Sequence, residues 1–149
     1  MWRRVNNLVN SLITYQTLSP DSRFRRHVSQ WLQQRPHLTC DQWFETFWQS
    51  ENISRLTTEF VYHAFESYSG LQFAYVIPDD RLEDDLFWTH VCWFDWEINF
   101  FADVEAQFHV DISDCFLYEK ICTIADLVRF LDQKILNHQN IEEDQSDLA

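Results

Sequence analysis

Glycine and proline are scarce in this sequence, with one glycine and three prolines among 149 residues. Sandwiches and barrels built from β-strands need many tight turns, and these two residue types supply most of them. A turn-rich β fold is therefore disfavoured, and a mostly helical chain is expected. The length fits one domain, or one domain with an appendage. The 13 Phe and 7 Trp are enough to build a sizeable core.

The sequence also lacks a long hydrophobic run and a close cysteine pair. No stretch approaches the length of about 18 apolar residues that a membrane span needs. Polar residues interrupt the first 13 positions, unlike the apolar core of a secretory leader. The four cysteines are scattered without a CxxC motif, and we expect them to be reduced. The predicted location is the cytoplasm, with a peripheral position on a membrane complex as a further option.

Basic residues are few after the first 38 positions. Residues 1–38 hold six Arg and one acid, whereas residues 39–149 hold five Lys or Arg against 23 acids, a net charge of −18. Such a body repels phosphate backbones, so nucleic-acid binding is not expected. It favours a protein partner with a basic surface. The alternative is that the acidity only keeps an aromatic-rich protein in solution.

The composition changes near Glu51, where a basic helical front meets an acidic back. We therefore predict a basic and aromatic N-terminal extension over residues 1–50, a helical bundle over 51–136 and a disordered acidic tail over 137–149. Apolar spacing predicts an amphipathic helix over Met1–Gln16, which either packs on its own domain or docks on a membrane or partner. The following helix is expected to begin at Ser19 as its N-cap.

Local signals set the ends of the other predicted helices. Thr39 and Gln42 have the spacing of a capping box at one helix start. Thr123 with Asp126 is expected to cap the last helix. Gly70, the only glycine, lies where a left-handed residue would stop a long helix, so it is not free to build a phosphate-binding loop.

Three stretches carry a resemblance to a known family. They are "VIPDDRLEDDL" at 76–86, "FFADVEAQFHVDIS" at 100–113 and "ICTIADLVRFLDQKI" at 121–135. In this order and spacing they resemble the loop, second-helix end and final helix of an acyl carrier protein. The resemblance covers residues about 53–136 and implies a four-helix bundle, so the predicted fold class is all-α, an acyl-carrier-like four-helix bundle behind an N-terminal helical extension.

The residue that carries the family's chemistry is missing. Acyl carrier proteins attach phosphopantetheine to the serine of an Asp-Ser-Leu motif at the start of the second helix. Here Leu86 is followed by "FWTHVCWFDWE", and His90 or Phe94 falls at the serine position, depending on the landmark used for counting. We therefore predict a divergent relative without a cofactor. Thr89 is the only nearby hydroxyl and leaves an atypical acyl or peptidyl carrier protein as the alternative.

Other chemistries are weakly represented. Adjacent acids on a loop point in different directions and stay solvated, so they do not favour acid–base catalysis. Metal binding would need closely spaced ligands, and His90 with Cys92 is the only such pair. No segment combines a cysteine, a histidine and a glycine-rich loop for nucleophilic catalysis. The prediction is a protein without enzymatic activity, cofactor or metal.

The remaining signal is a docking surface. We predict a non-catalytic interaction or assembly module, whose candidate partner-binding residues are Asp79, Asp80, Glu83, Asp84, Asp85, Trp88, Trp93 and Trp96. A helix is expected over Trp93–Phe108, with Phe94 and Ile98 among its core residues. Its wide apolar arc is covered either by the N-terminal helices or by a partner. A peripheral assembly factor of a membrane-bound complex is a further reading, and the oligomeric state stays open.

Overall fold

The computed structural model describes residues 18–148. Within that range the regular elements are helices, without a β-strand, which confirms the all-α prediction. The α-helices are α1 (Ser22–Leu32), α2 (Cys40–Phe47), α3 (Arg55–Ser69), α4 (Trp88–Val91), α5 (Trp96–Phe108) and α6 (Ile124–Asp147). Short 3₁₀ turns occupy Gln49–Glu51, Phe73–Tyr75 and Tyr118–Lys120. The predicted helix over Met1–Gln16 lies outside the described residues.

The helix ends follow local hydrogen bonding. At α2, Thr39 and Gln42 form the predicted capping box, and Gly70 ends α3 with a φ of 70°. The predicted N-cap of α1 is wrong. Asp21, not Ser19, caps α1, because its carboxylate accepts the Arg23 N–H at 2.9 Å.

The last helix is longer than predicted. Thr123 and Asp126 form the capping box at its start, as expected. The helix then continues to Asp147, so residues 137–147 are helical where the sequence predicts a disordered tail. This segment contains neither Gly nor Pro, and a helix already nucleated by packing propagates through residues that do not break it. His138 and Glu142, one turn apart, also approach to 3.2 Å.

The helix predicted over Trp93–Phe108 begins three residues later, at Trp96, and a separate short helix, α4, precedes it. The chain turns at Phe87, whose φ is 51°, forms the one-turn α4, and starts again with Asp95 as the N-cap of α5. The buried face of α5 consists of Trp96, Phe100 and Val104. Phe94 and Ile98, predicted as core residues, are 66% and 68% exposed. Phe94 lies in the turn before α5, and Ile98 lies on a side of α5 that the core does not cover.

One hydrophobic core joins the front and the back of the described chain. Val28 and Leu32 of α1, and Trp43 with Trp48 after it, belong to the same buried cluster as the residues of α3 to α6. The predicted boundary near residue 50 is therefore not a boundary of packing. A polar contact also links α6 to the start of α3. The buried Asp132 of α6 accepts a hydrogen bond from the backbone N–H of Ser54, the N-cap of α3.

None of the helices between residues 18 and 148 combines the length and the hydropathy that crossing a bilayer requires.

Candidate docking surface

Asp80 is part of the interior rather than of a docking surface. Its side chain is buried and forms two hydrogen bonds with the Arg35 guanidinium, at 2.7 and 2.8 Å. It also accepts the Ile77 N–H at 2.9 Å. Arg35 follows α1, so this ion pair ties the N-terminal part to the loop before α4. The prediction of Asp80 as a partner-binding charge is corrected for this reason.

The neighbouring acids differ in how freely they face solvent. Asp84 and Asp85 both pair with Arg81, at 3.2 and 3.0 Å. The hydrogen bond from Arg81 lowers the pKa of the Asp85 carboxyl below its ordinary value. Asp79 is exposed, and the Asp84 side chain is 71% exposed. Asp79 and Asp84 are thus the loop acids best able to meet a partner.

Glu83 organises the turn around the candidate attachment residue. Its carboxylate accepts both the backbone N–H and the hydroxyl of Thr89, at 3.1 and 3.0 Å. It also accepts a hydrogen bond from the Tyr118 hydroxyl. Burial, with a further contribution from Glu83, raises the pKa of Tyr118, so this phenol keeps its proton and remains a donor. Thr89 is exposed, but its hydroxyl is already engaged in fixing the loop.

Two of the three candidate tryptophans are core residues. Trp88 is fully buried and stacks on Phe65 with ring centroids 5.3 Å apart. Trp96 is 7% exposed and meets Trp88 edge to face at 5.7 Å. Neither can serve as a surface contact, which corrects both predictions. Trp93 is 41% exposed and is the one candidate tryptophan that reaches the surface.

The basic front of the chain covers the side of α4. The Asp21 N–H donates to the His90 carbonyl at 2.8 Å, and Arg25 Nε donates to the Val91 carbonyl at 2.7 Å. Phe24 packs on Phe87 with a centroid distance of 5.1 Å. The acidic and aromatic surface was predicted to bind a basic partner. Part of it is therefore covered by α1 of the same chain.

The α5 strip, defined here as Phe94, Ile98 and Phe101, remains open. The first two are about two-thirds exposed, and Phe101 is half-buried against Phe116, at a centroid distance of 5.6 Å. Ile98 and Phe101 lie three positions apart on α5 and therefore share one side of the helix, and Phe94 lies in the turn just before the N-cap Asp95. The sequence predicted Phe94 and Ile98 as core residues, and both are exposed. The apolar arc of this segment is wider than one core-facing side of a helix, and that width indicated that some of its residues would be exposed.

The α5 strip lies in a strongly negative part of the molecule. Between Arg81 and Lys120 the chain holds ten Asp or Glu and no Lys or Arg. Burial, and secondarily the nearby Glu119 carboxylate, raises the pKa of Glu97, which follows the α5 N-cap. An approaching cation would relieve the repulsion between these two carboxylates. The arrangement thus combines exposed apolar side chains with a field that attracts positive charge.

Metal chemistry has no assembled site in the part of the chain between residues 18 and 148, since it contains no group of three His, Cys, Asp or Glu side chains placed to hold an ion. The Cys92 thiol is buried, and burial raises its pKa well above the ordinary value. This thiol is therefore protonated and poorly suited to act as a nucleophile.

Comparison with family models, with curated proteins and with solved structures found no match to this chain.

Proposed function

We propose that this chain is a non-catalytic docking module, built on an acyl-carrier-like helical bundle, that binds a basic amphipathic segment of a partner protein. The observation that carries the proposal is the α5 strip, in which Phe94 and Ile98 are 66% and 68% exposed. Large apolar side chains exposed side by side are typical of protein-binding surfaces.

The charge around the strip supports a basic partner. Asp95 and Glu97 flank the start of α5, and they are two of the ten acids in the stretch between Arg81 and Lys120, which has no Lys or Arg. A partner with an apolar stripe would cover Phe94 and Ile98, while its Lys or Arg residues would face these carboxylates. Electrostatic steering would then accelerate association, and the binding would weaken as salt is added.

The carrier-like bundle is a second part of the proposal. The resemblance over residues about 53–136 would place the start of α5 where acyl carrier proteins present their partner-binding surface. Here Phe94 occupies one of the two positions at which the attachment serine would fall, and Thr89, at the preceding turn, has its hydroxyl bonded to Glu83. Recognition would thus have replaced prosthetic-group chemistry at this end of the bundle.

The test compares two variants that remove exposed apolar surface. The double variant F94A/I98A removes the strip, and L56A removes a side chain that is 57% exposed on α3. Each purified chain is used as bait in native cell extract, captured proteins are quantified by mass spectrometry, and the best-enriched protein is purified and titrated against the three chains.

We expect F94A/I98A to weaken binding of the purified partner at least tenfold, and L56A to change it less than about twofold. Affinity should also fall between low and physiological salt. Equal binding by F94A/I98A and the wild type would refute the proposal.

A further inference from the structure

A groove runs between α3 and α5, away from the α5 strip. It consists of two cavities, of about 590 and 380 Å³, which share Ser67, Tyr68 and Asp103. Asp103 and Ile98 lie five positions apart on the helix, which places them about 140° apart around its axis. The groove and Ile98 of the α5 strip therefore lie on different sides of α5.

The smaller cavity combines aromatic walls with a carboxylate. Its lining residues are Ser67, Tyr68, Trp93, Trp96, Asn99 and Asp103. The Tyr68 hydroxyl donates to Asp103, and within residues 18–148 no other group donates a hydrogen bond to this carboxylate. Burial and Asp103 together raise the pKa of Tyr68, so the phenol stays protonated and remains a hydrogen-bond donor to Asp103.

The larger cavity is also lined by polar and acidic side chains. It brings a second carboxylate, Glu59, together with His63 and Gln107. Among residues 18–148, neither cavity is lined by a Lys or Arg, so none of the described basic side chains neutralises Asp103 and Glu59 there. Aromatic rings beside a carboxylate attract an ammonium or guanidinium group, because the ring faces and the carboxylate both carry negative potential.

We propose that the smaller cavity receives a Lys or Arg side chain of the partner protein. This inference rests on the proposed function and specifies a second contact for the basic partner. The occupant is a side chain of a protein rather than a free amine, because the cavity opens into a larger one that has room for the residues flanking the cation. Asp103 and Asn99 face the charged group, and Trp93 contacts its aliphatic stem.

The first experiment uses small probes on the whole chain. Nα-acetyl-arginine methylamide, Nα-acetyl-lysine methylamide and the neutral Nα-acetyl-norleucine methylamide are titrated while the indole N–H signals of Trp93 and Trp96 are followed by NMR. The two cationic probes should shift these signals in a saturable way, and the neutral probe should not. Equal shifts from the neutral probe would overturn the assignment of a cation site.

The variants isolate the carboxylate. Asp103→Asn keeps an acceptor for Tyr68 and removes the charge, so cationic probes should bind about tenfold more weakly. Glu105→Gln makes the same charge change on the same helix, at an exposed position outside both cavities, and should change affinity less than about twofold. Asn99→Lys, at an exposed position, places a cation in the cavity and should abolish probe binding. Equal effects of D103N and E105Q would contradict the site.

The partner identified through the α5 strip separates the two proposals. D103N should weaken its binding about tenfold, whereas E105Q should not. Full partner affinity in D103N, with affinity lost in F94A/I98A, overturns the cavity's role and leaves the proposed function standing. Full affinity in both variants overturns both.

Discussion

Arg35 and Asp80 lie 45 positions apart in the chain and form the most deeply buried ion pair among the described residues. The side chain of Asp80 is 3% exposed and that of Arg35 is 23% exposed. Removing water from such a pair costs free energy, which two short hydrogen bonds and the Ile77 N–H offset only while all partners are present. The intact pair therefore adds little net stability, but the loss of one partner leaves the other charge buried without compensation and destabilises the fold.

Asp80→Asn tests that contribution. The substitution leaves Arg35 without its opposite charge, and we expect the free energy of unfolding to fall by about 2–4 kcal/mol. Asp84→Asn is the matched control, because Asp84 pairs with Arg81 at an exposed site, and it should change stability by less than about 0.5 kcal/mol. Urea unfolding measures both, and similar effects of the two variants would contradict the structural role of Asp80.

For Glu97, removing the charge is expected to stabilise the fold, whereas removing the charge of Asp80 is expected to destabilise it. Burial, and then Glu119, raises its pKa in the folded chain. A carboxyl with a raised pKa destabilises the fold where it is ionised, and this cost vanishes below the pKa of the unfolded chain. Glu97→Gln should therefore increase the free energy of unfolding at about pH 7, and the gain should disappear as the pH falls through the raised pKa to below the ordinary value of 4.5.

Urea titrations of wild type and E97Q near pH 7 and near pH 3.5 check the sign of this effect. Glu105→Gln, at an exposed position of α5, serves as the control and should show no comparable gain near neutral pH. A destabilised E97Q at neutral pH would show that the Glu97 carboxylate is stabilised by its surroundings.

At the scale of the element, α6 depends on its first turn. Thr123 Oγ1 accepts the Asp126 N–H at 3.1 Å, and Asp126 Oδ2 accepts the Thr123 N–H at 3.0 Å. The same Asp126 oxygen accepts the Cys122 N–H at 3.1 Å. These bonds satisfy donors at the start of a helix whose buried residues include Ile124, Leu127 and Leu131.

Thr123→Ala should lower the free energy of unfolding by about 1 kcal/mol, because the cap loses its side-chain acceptor. Thr46→Ala, at an exposed position inside α2, is the control and should stay within about 0.5 kcal/mol of wild type. Thermal and urea unfolding with circular dichroism report both, and equal stability of T123A and wild type would show that the capping box contributes little.

Helix ends that depend on hydrogen bonds between neighbouring residues could be predicted from the sequence. Turns that depend on contacts with residues distant in the chain could not. The caps at Thr39, Gly70 and Thr123 depend on residues within one turn, and the structure has all three. The turn into α4 depends on Phe87, a bulky residue at positive φ that packs on Phe24 of α1. Nothing near Phe87 in the sequence signals that conformation.

The candidate site divides in the same way. An acidic and aromatic surface near residues 79–101 was expected, and the exposed Asp84 and Trp93 belong to it. Asp80 was expected outside because its partner, Arg35, is distant in sequence. Phe94 and Ile98 were expected inside because helical spacing shows that a helix has an apolar face, and only the packed fold shows which part of a wide face is covered.

At the scale of the whole molecule, α1 and the chain that follows it are joined to the helices α3 to α6 by polar contacts as well as by the shared core. Arg25 reaches Val91 across 66 positions of sequence, and its guanidinium also fills the space beside Gly70, where a Cβ would approach it to 2.9 Å. Arg35 adds a hydrogen bond to the Tyr75 carbonyl at 3.0 Å. The sole glycine thus serves two purposes, since it ends α3 and leaves room for a residue of α1.

The long-range docking of α1 has a consequence for biosynthesis. Residues 22–32 are translated well before the α4 residues that cover them, and at about 5–20 residues per second the 66 positions between Arg25 and Val91 take on the order of 3–13 s to emerge. Through that interval α1, with Val28 and Leu32 on its apolar face, lacks the α4 part of the surface against which it packs. The nascent chain therefore offers a hydrophobic, positively charged helix to chaperones until the acidic half has been synthesised.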